Sequence, residues 1–291
     1  MGLQRLAAMT ARLPEVILPL LPKAQRRPAL DLVTPAAFLG AVLAVIVADL
    51  LDRGSLHALL NLPAMLLVLG GTLGATVMSV DRRELMAVPS ALRRMLRPGG
   101  VPRRETIQKI GALADIARRE GLLRLEDELA AGGLPTFLAA GVQKIADGFD
   151  ESRLRAFLDR MMDVQGERRL AVALFFRTAG GFAPTLGIIG TVVGLVSVLS
   201  HLSDVERLAP SIATAFLATL WGIASANLFW LPLGFRLERL QQEEREDEEM
   251  MLQGMLGILA GQNPRLLQEQ LAVYLEPSEA SHGEPPNLQA S

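Results

Sequence analysis

Residues Thr178–Ser203 read TAGGFAPTLGIIGTVVGLVSVLSHLS, a stretch with no formal charge and with His201 near its far end. A helix needs roughly 20 mostly apolar residues to cross the hydrocarbon of a bilayer. This stretch is long enough. Three others share the property. Leu208 to Phe235 is uncharged and stops at Arg236. Leu59 to Val80 is uncharged and ends at Asp81-Arg82-Arg83. Leu32 to Ala48, the shortest, lies between Asp31 and Asp49. One buried apolar helix is ordinary in a soluble protein, but four in one chain are not. The expected fold class is all-α: a polytopic membrane protein with four transmembrane helices and a helical cytoplasmic domain.

Composition agrees. Of 291 residues, 50% are hydrophobic and 21% charged, and the mean hydropathy is +0.31. That balance fits apolar and charged residues segregated into blocks. A net charge of -2 gives no support for a nucleic-acid binder. The absence of cysteine excludes disulfides, thiol catalysis and zinc–thiolate sites. His57, His201 and His282 are isolated, which argues against a histidine metal cage. No glycine-rich loop ends in Gly-Lys-Ser/Thr, so no nucleotide site is expected. The chain reads as a non-enzyme without a cofactor.

Lys and Arg near the span ends set the orientation. Lys23, Arg26 and Arg27 precede the first span, and Arg82, Arg83, Arg93, Arg94 and Arg97 follow the second. Arg160, Arg168, Arg169 and Arg177 precede the third, and Arg236 and Arg239 follow the fourth. The two short hairpin loops hold only Arg53 and Arg207. Both termini and the long middle segment are therefore expected in the cytoplasm, with the short loops outside.

The expected organisation is a proline-broken cytoplasmic extension (1–31), a first transmembrane hairpin (32–80) and a cytoplasmic helical domain (81–177). A second, channel-lining hairpin (178–235), cytoplasmic C-terminal helices (236–275) and a disordered tail (276–291) follow. In the middle domain, Ile107, Ile110, Leu113 and Ile116 recur at helical spacing, as do Phe137, Leu138, Val142 and Ile145. Gly99-Gly100 with Pro102, and Gly132-Gly133 with Pro135, mark breaks. The run Glu243–Glu249 holds six acidic residues against Arg245 and reads as a solvated helix face.

The second, third and fourth spans hold no Asp, Glu, Lys or Arg. A cation crossing hydrocarbon needs an ionisable or strongly polar carrier. Asp49, at the outer end of the first span, reads as a wetted interfacial residue. Either the chain moves no ions or a partner helix supplies the acid. The spans do carry features of close contact. Gly70, Gly71 and Gly74 lie in the second, and Gly187, Gly190 and Gly194 in the third; Gly70–Gly74 and Gly190–Gly194 have small-xxx-small spacing. Pro184 and Pro232 each remove a helical hydrogen bond and free the carbonyls of Gly180 and Leu228, which at membrane depth must face protein or water. Thr191 lies about two turns beyond Pro184, and Thr219 lies deep in the fourth span. Their hydroxyls either bond back to their own helices or line a polar path shared with a partner.

Four stretches together resemble the flagellar stator A subunits, the MotA/PomA type of the MotA/TolQ/ExbB ion-channel superfamily. They are Asn61–Thr76 (NLPAMLLVLGGTLGAT); Ala114–Leu129 with Arg118, Gly121, Leu125 and Glu126; Phe182–Leu195 joined with Ala218–Pro232; and Gln253–Leu267. The likeness covers roughly residues 35 to 275. It implies a pentamer around a dimer of a B subunit, whose single span supplies the ion-binding Asp. It implies that Thr191 and Thr219 line the path of a proton or sodium ion, and that Pro184 and Pro232 shape the channel and couple ion passage to movement. Arg118 and Glu126 would contact the rotor switch protein. Threonine at both 191 and 219 resembles the sodium-type members. The alternatives are a TolQ/ExbB-type energiser of an envelope protein, or a non-conducting membrane scaffold.

Overall fold

The computed structural model describes residues 59–96 and 102–275 continuously, with scattered helical positions between Ala36 and Leu51. The extension 1–31, most of the first span, Asp49, Gly99-Gly100 and the tail 276–291 lie outside the described residues. Among the described residues the secondary structure is helix, turn and bend, with no strand.

Helix α1 (Leu62–Met78) starts where the Asn61 side chain accepts from the Ala64 N–H at 3.0 Å, with Pro63 in the first turn. It contains a π-helical segment, Leu66–Gly70. At its end the Ser79 hydroxyl donates to the Thr76 carbonyl at 2.9 Å. The chain then turns by 119° into α2 (Arg82–Leu96). Four short helical pieces follow: α3 (Arg103–Glu120), a 3-10 turn (Leu122–Arg124), α4 (Leu125–Ala131) and α5 (Thr136–Ala146). Gly121 ends α3 at φ 92°, and Gly132 ends α4 at φ 76°, a region where a Cβ is strained.

Two rods dominate the molecule. Helix α6 (Glu151–Ser200) runs 50 residues without a break, about 75 Å. Its N-cap Asp150 accepts from the Arg153 N–H at 2.8 Å. Helix α7 (Val205–Ser225) passes through a π-helical segment, Ala226–Trp230, into α8 (Leu231–Leu259). Helix α9 (Pro264–Leu271), capped by Asn263, and a 3-10 turn (Ala272–Tyr274) complete the chain. Both rods continue from apolar sequence into charged sequence, so the boundaries at 177/178 and 235/236 fall inside continuous helices.

Burial divides the rods into two chemistries. At the charged end Ile107, Ile110, Leu113, Leu125, Leu138, Val142, Leu154, Leu158, Met250, Met255, Ile258, Leu267 and Leu271 form one core. Each fully buried Leu or Ile there contributes about 2 kcal/mol. At the apolar end the pattern inverts. Ile188, Ile189, Val192, Val193, Leu195, Val196 and Leu199 of α6 are exposed, as are Phe216, Leu220 and Ile223 of α7. The two rods are long and apolar enough to cross a membrane, and the bent pair α1–α2 is a third candidate. Only 22% of each rod's apolar window is buried inside the chain. The rest of that surface must meet lipid or other chains.

Candidate functional site

The α6–α7 interface is built from the smallest side chains in both helices. A Cβ at Gly187 would stand 3.0 Å from the Ala218 carbonyl oxygen and 3.2 Å from Gly222 Cα. A Cβ at Gly222 would stand 2.7 Å from the Ala183 carbonyl oxygen, and one at Gly194 2.6 Å from Ala215 Cβ. One at Gly190 would collide with Ala218. In lipid, packing of this kind supplies association that hydrophobicity cannot. Gly222, Ala215 and Ala218 were not singled out from the sequence, although 218 and 222 have the same four-residue spacing as 190 and 194.

This close approach brings Thr191 and Thr219 together. Their hydroxyls share a short hydrogen bond. The Thr191 hydroxyl also reaches its own helix at the Gly187 carbonyl, 3.1 Å, and the Ala215 carbonyl of α7 at 3.1 Å. The Thr219 hydroxyl lies 3.5 Å from the same Gly187 carbonyl. The site is a compact set of hydroxyl and carbonyl oxygens between two helices, with no acid in the apolar stretches beside it. Oxygens of this kind suit a hard cation or a proton-carrying water. No cluster of three or more metal-ligating side chains occurs among the described residues.

Both prolines lie on one side of this site, toward the charged ends of the rods. Pro184 sits inside α6, which stays helical through it, and the space beside Gly180 is filled by Leu231 and Trp230 of the other rod. Pro232 follows the π segment, where the Leu231 N–H bonds the Ala226 carbonyl five residues back. The second π segment, in α1, places Leu67 beside Gly190. Such single π turns frequently mark functional sites.

Gly70 and Gly74 do not make the close contact expected of them. Neither has an atom within 4 Å of a built Cβ, whereas Gly71 would meet Leu186 at 3.2 Å. Within this chain, of the three glycines named in α1, Gly71 is the one that meets α6. Two side chains unnoticed in the sequence tie α1 to α7 near the outer end. Asn61 Nδ2 donates to Thr214 Oγ1 at 3.0 Å, and Trp221 Nε1 donates to the Leu59 carbonyl at 2.8 Å.

Arg118 at the end of α3 and Glu126 at the start of α4 are both exposed. Their neighbours are paired: Arg119 with Asp115 at 3.0 Å, and Arg124 with Glu120 and Asp127. Arg118 and Glu126 have no ion-pair partner among the described residues. They present exposed charges of opposite sign on either side of the Gly121 turn.

The acidic run of α8 corrects the expectation of a solvated face. Glu248 is 5% exposed, and its Oε1 accepts from Arg169 of α6 at 2.7 Å. Glu244 takes the same guanidinium at 3.0 Å and Arg94 of α2 at 3.6 Å. On another face Asp247 and Glu246 hold Arg103 of α3 at 2.5 and 2.9 Å, and Arg103 also donates to the Tyr274 carbonyl at 2.8 Å. Burial pushes the Asp247 carboxyl above the ordinary aspartate range against the pull of Arg103, and Glu246 adds to the rise. For Arg103 burial works against the charge, but the bonds to Asp247 and Glu246 outweigh it and its pKa is raised.

Comparison with known proteins fits this geometry. Residues 130–250 match the MotA/TolQ/ExbB proton channel family. The chain is 33% identical over 254 residues to Motility protein A of Bacillus subtilis, covering 84% of this chain and 94% of that one. Among solved structures it is similar to C. jejuni MotAB, with TM-score 0.79 and 26% identity over 89% of this chain and 100% of that one. It is also similar to the flagellar MotAB stator complex from Bacillus subtilis, with TM-score 0.78 and 31% identity over 87% and 99%.

Proposed function

The chain belongs to the MotA/TolQ/ExbB proton channel family, among its Motility protein A members, and on that premise we propose that it is the A subunit of a flagellar stator. With a B subunit it forms a cation channel and converts ion flow into torque on the rotor. The observation that carries this is the Thr191–Thr219 hydroxyl pair between the apolar stretches 178–203 and 208–235, which hold no acid of their own. An oxygen-lined site without a carboxylate needs a carrier from outside, and a B-subunit Asp supplies it.

The finer reading follows the same line. Four spans cross the inner membrane with both termini in the cytoplasm. Five A chains surround the B dimer, which matches the exposed apolar faces of α6 and α7 that the single chain leaves uncovered. The transported ion is H+ or Na+. One charge crossing ~100 mV releases about 2.3 kcal/mol, so torque needs many successive ions. Arg118 and Glu126 push on the rotor through exposed charge, which steers encounters and releases readily. A likeness to Motility protein A over 94% of its length favours the flagellar reading over an envelope energiser.

The test is co-expression with a B subunit in a strain lacking other stators. Swimming that tracks ion flux, with speed compared with and without sodium at constant membrane potential, supports the reading and identifies the ion. Membrane insertion without conductance or motility would leave only a scaffold.

A further inference from the structure

The rods that carry Thr191 and Thr219 continue unbroken into the cytoplasm. What they engage there decides how movement at the ion path leaves the membrane. Arg169 lies 22 residues before Thr191 on α6, about 33 Å along the helix. It binds Glu244 and Glu248 of α8, so the two rods are stapled below the membrane. The staple is demanding: Glu248 Oε2 and Arg169 Nη1 are buried with no further partner, so each charge relies on the other.

A second clamp takes a different face of the same run. Residue 246 points away from 244 and 248 by the helical period, and 247 lies between the two directions. They hold Arg103, the first residue of α3. The other end of α3 carries exposed Arg118, 15 residues on. Helix α3 packs along the rod of the fourth span through Ile107, Ile110 and Leu113, Arg103 pins its first turn to the acidic run, and the rotor-facing charge stands at its other end. The Arg103 guanidinium makes three separate contacts, two carboxylates and the Tyr274 carbonyl.

We propose that the acidic run of α8 is a mechanical joint in which Arg169 holds the ion-path side and Arg103 holds the rotor side. Arg103 is then a positioning residue for torque: it conveys displacement of the α7–α8 rod to α3 and touches neither ion nor rotor. This rests on the stator reading and adds to it the connection between channel and rotor-facing surface.

The experiment compares wild type, Arg103→Gln, Arg103→Lys and Arg153→Gln in the complete stator with its B subunit. Arg153 pairs only with Asp150 at the surface and serves as the control. Ion flux into cells, stall torque on a tethered bead and the amount of assembled complex are read together. The joint predicts that Arg103→Gln lowers stall torque by about fivefold or more while flux stays within about twofold. Arg103→Lys, which keeps the charge, recovers part of the torque, and Arg153→Gln changes neither. Full torque in Arg103→Gln overturns the joint. So does equal loss of flux and torque, which is the mark of damaged folding. A wild type that neither conducts nor turns overturns the stator reading itself, and is told apart because it precedes any substitution.

Discussion

The hydroxyls of Thr191 on α6 and Thr219 on α7 bond each other and both approach one acceptor, the Gly187 carbonyl. Gly187 has no side chain, which is what allows that approach. Two threonines 28 positions apart thus form one polar site because Gly187, Gly190, Gly194 and Gly222 let the backbones meet. Thr219→Val keeps shape and removes the hydroxyl. A hydrogen bond of this kind in a membrane is worth only about 0.6–2 kcal/mol, so insertion and assembly persist. Swimming on soft agar is expected to cease, while Thr219→Ser retains it. Normal swimming of the Val variant would remove Thr219 from the ion path.

Glycine substitutions separate contact faces from open ones. A methyl at Gly222 meets the Ala183 carbonyl oxygen at 2.7 Å, and backbone cannot step aside cheaply. Gly222→Ala is expected to cost about 1–3 kcal/mol and to lower the yield of folded protein. Gly70→Ala meets nothing within 4 Å in this chain, and stays within about 0.5 kcal/mol. Thermal unfolding of the purified complex checks both. A severe loss at Gly70 would show that a neighbouring chain occupies that space.

Much of this architecture was legible. Uncharged runs gave the apolar helices of α1, α6 and α7, and helical spacing gave the buried core around Ile110, Leu138 and Val142. Two things were hidden for physical reasons. The π segments Leu66–Gly70 and Ala226–Trp230 carry no composition signal that announces them. The partners of the acidic run lie 79 residues away for Arg169–Glu248 and 144 for Arg103–Asp247. Charge alone cannot report pairing across such separations, and Glu244 looks the same solvated or clamped. Asn61–Thr214, 153 residues apart, was hidden in the same way.

Arg118→Glu tests the rotor-facing surface. The side chain is exposed and unpaired among the described residues, so the stability change stays within about 0.5 kcal/mol. Ion flux is expected to persist while tethered-bead torque falls. A charge reversal on the rotor protein that restores torque would establish the contact. Unchanged torque across loads would count against it.

The clamp at Asp247 gives a pH dependence whose sign is fixed. Its carboxyl is raised above the ordinary 3.8 by burial. Below that value the group is protonated in folded and unfolded chains alike, and its favourable contribution is complete. As pH climbs, the unfolded chain releases the proton first, and the contribution is lost through the raised folded value. Stability of the detergent-solubilised complex, followed by thermal unfolding between about pH 4 and pH 6, therefore contains a component that declines with pH and belongs to Asp247. Asp247→Asn removes that component. At the acid end of the window, where Asp247 is itself protonated, the melting temperature of the variant lies near that of the native chain, and it falls less steeply as pH rises. Parallel curves for the two proteins would mean that Asp247 ionises in the clamp as easily as in water, and that the joint is more open to solvent than its burial implies.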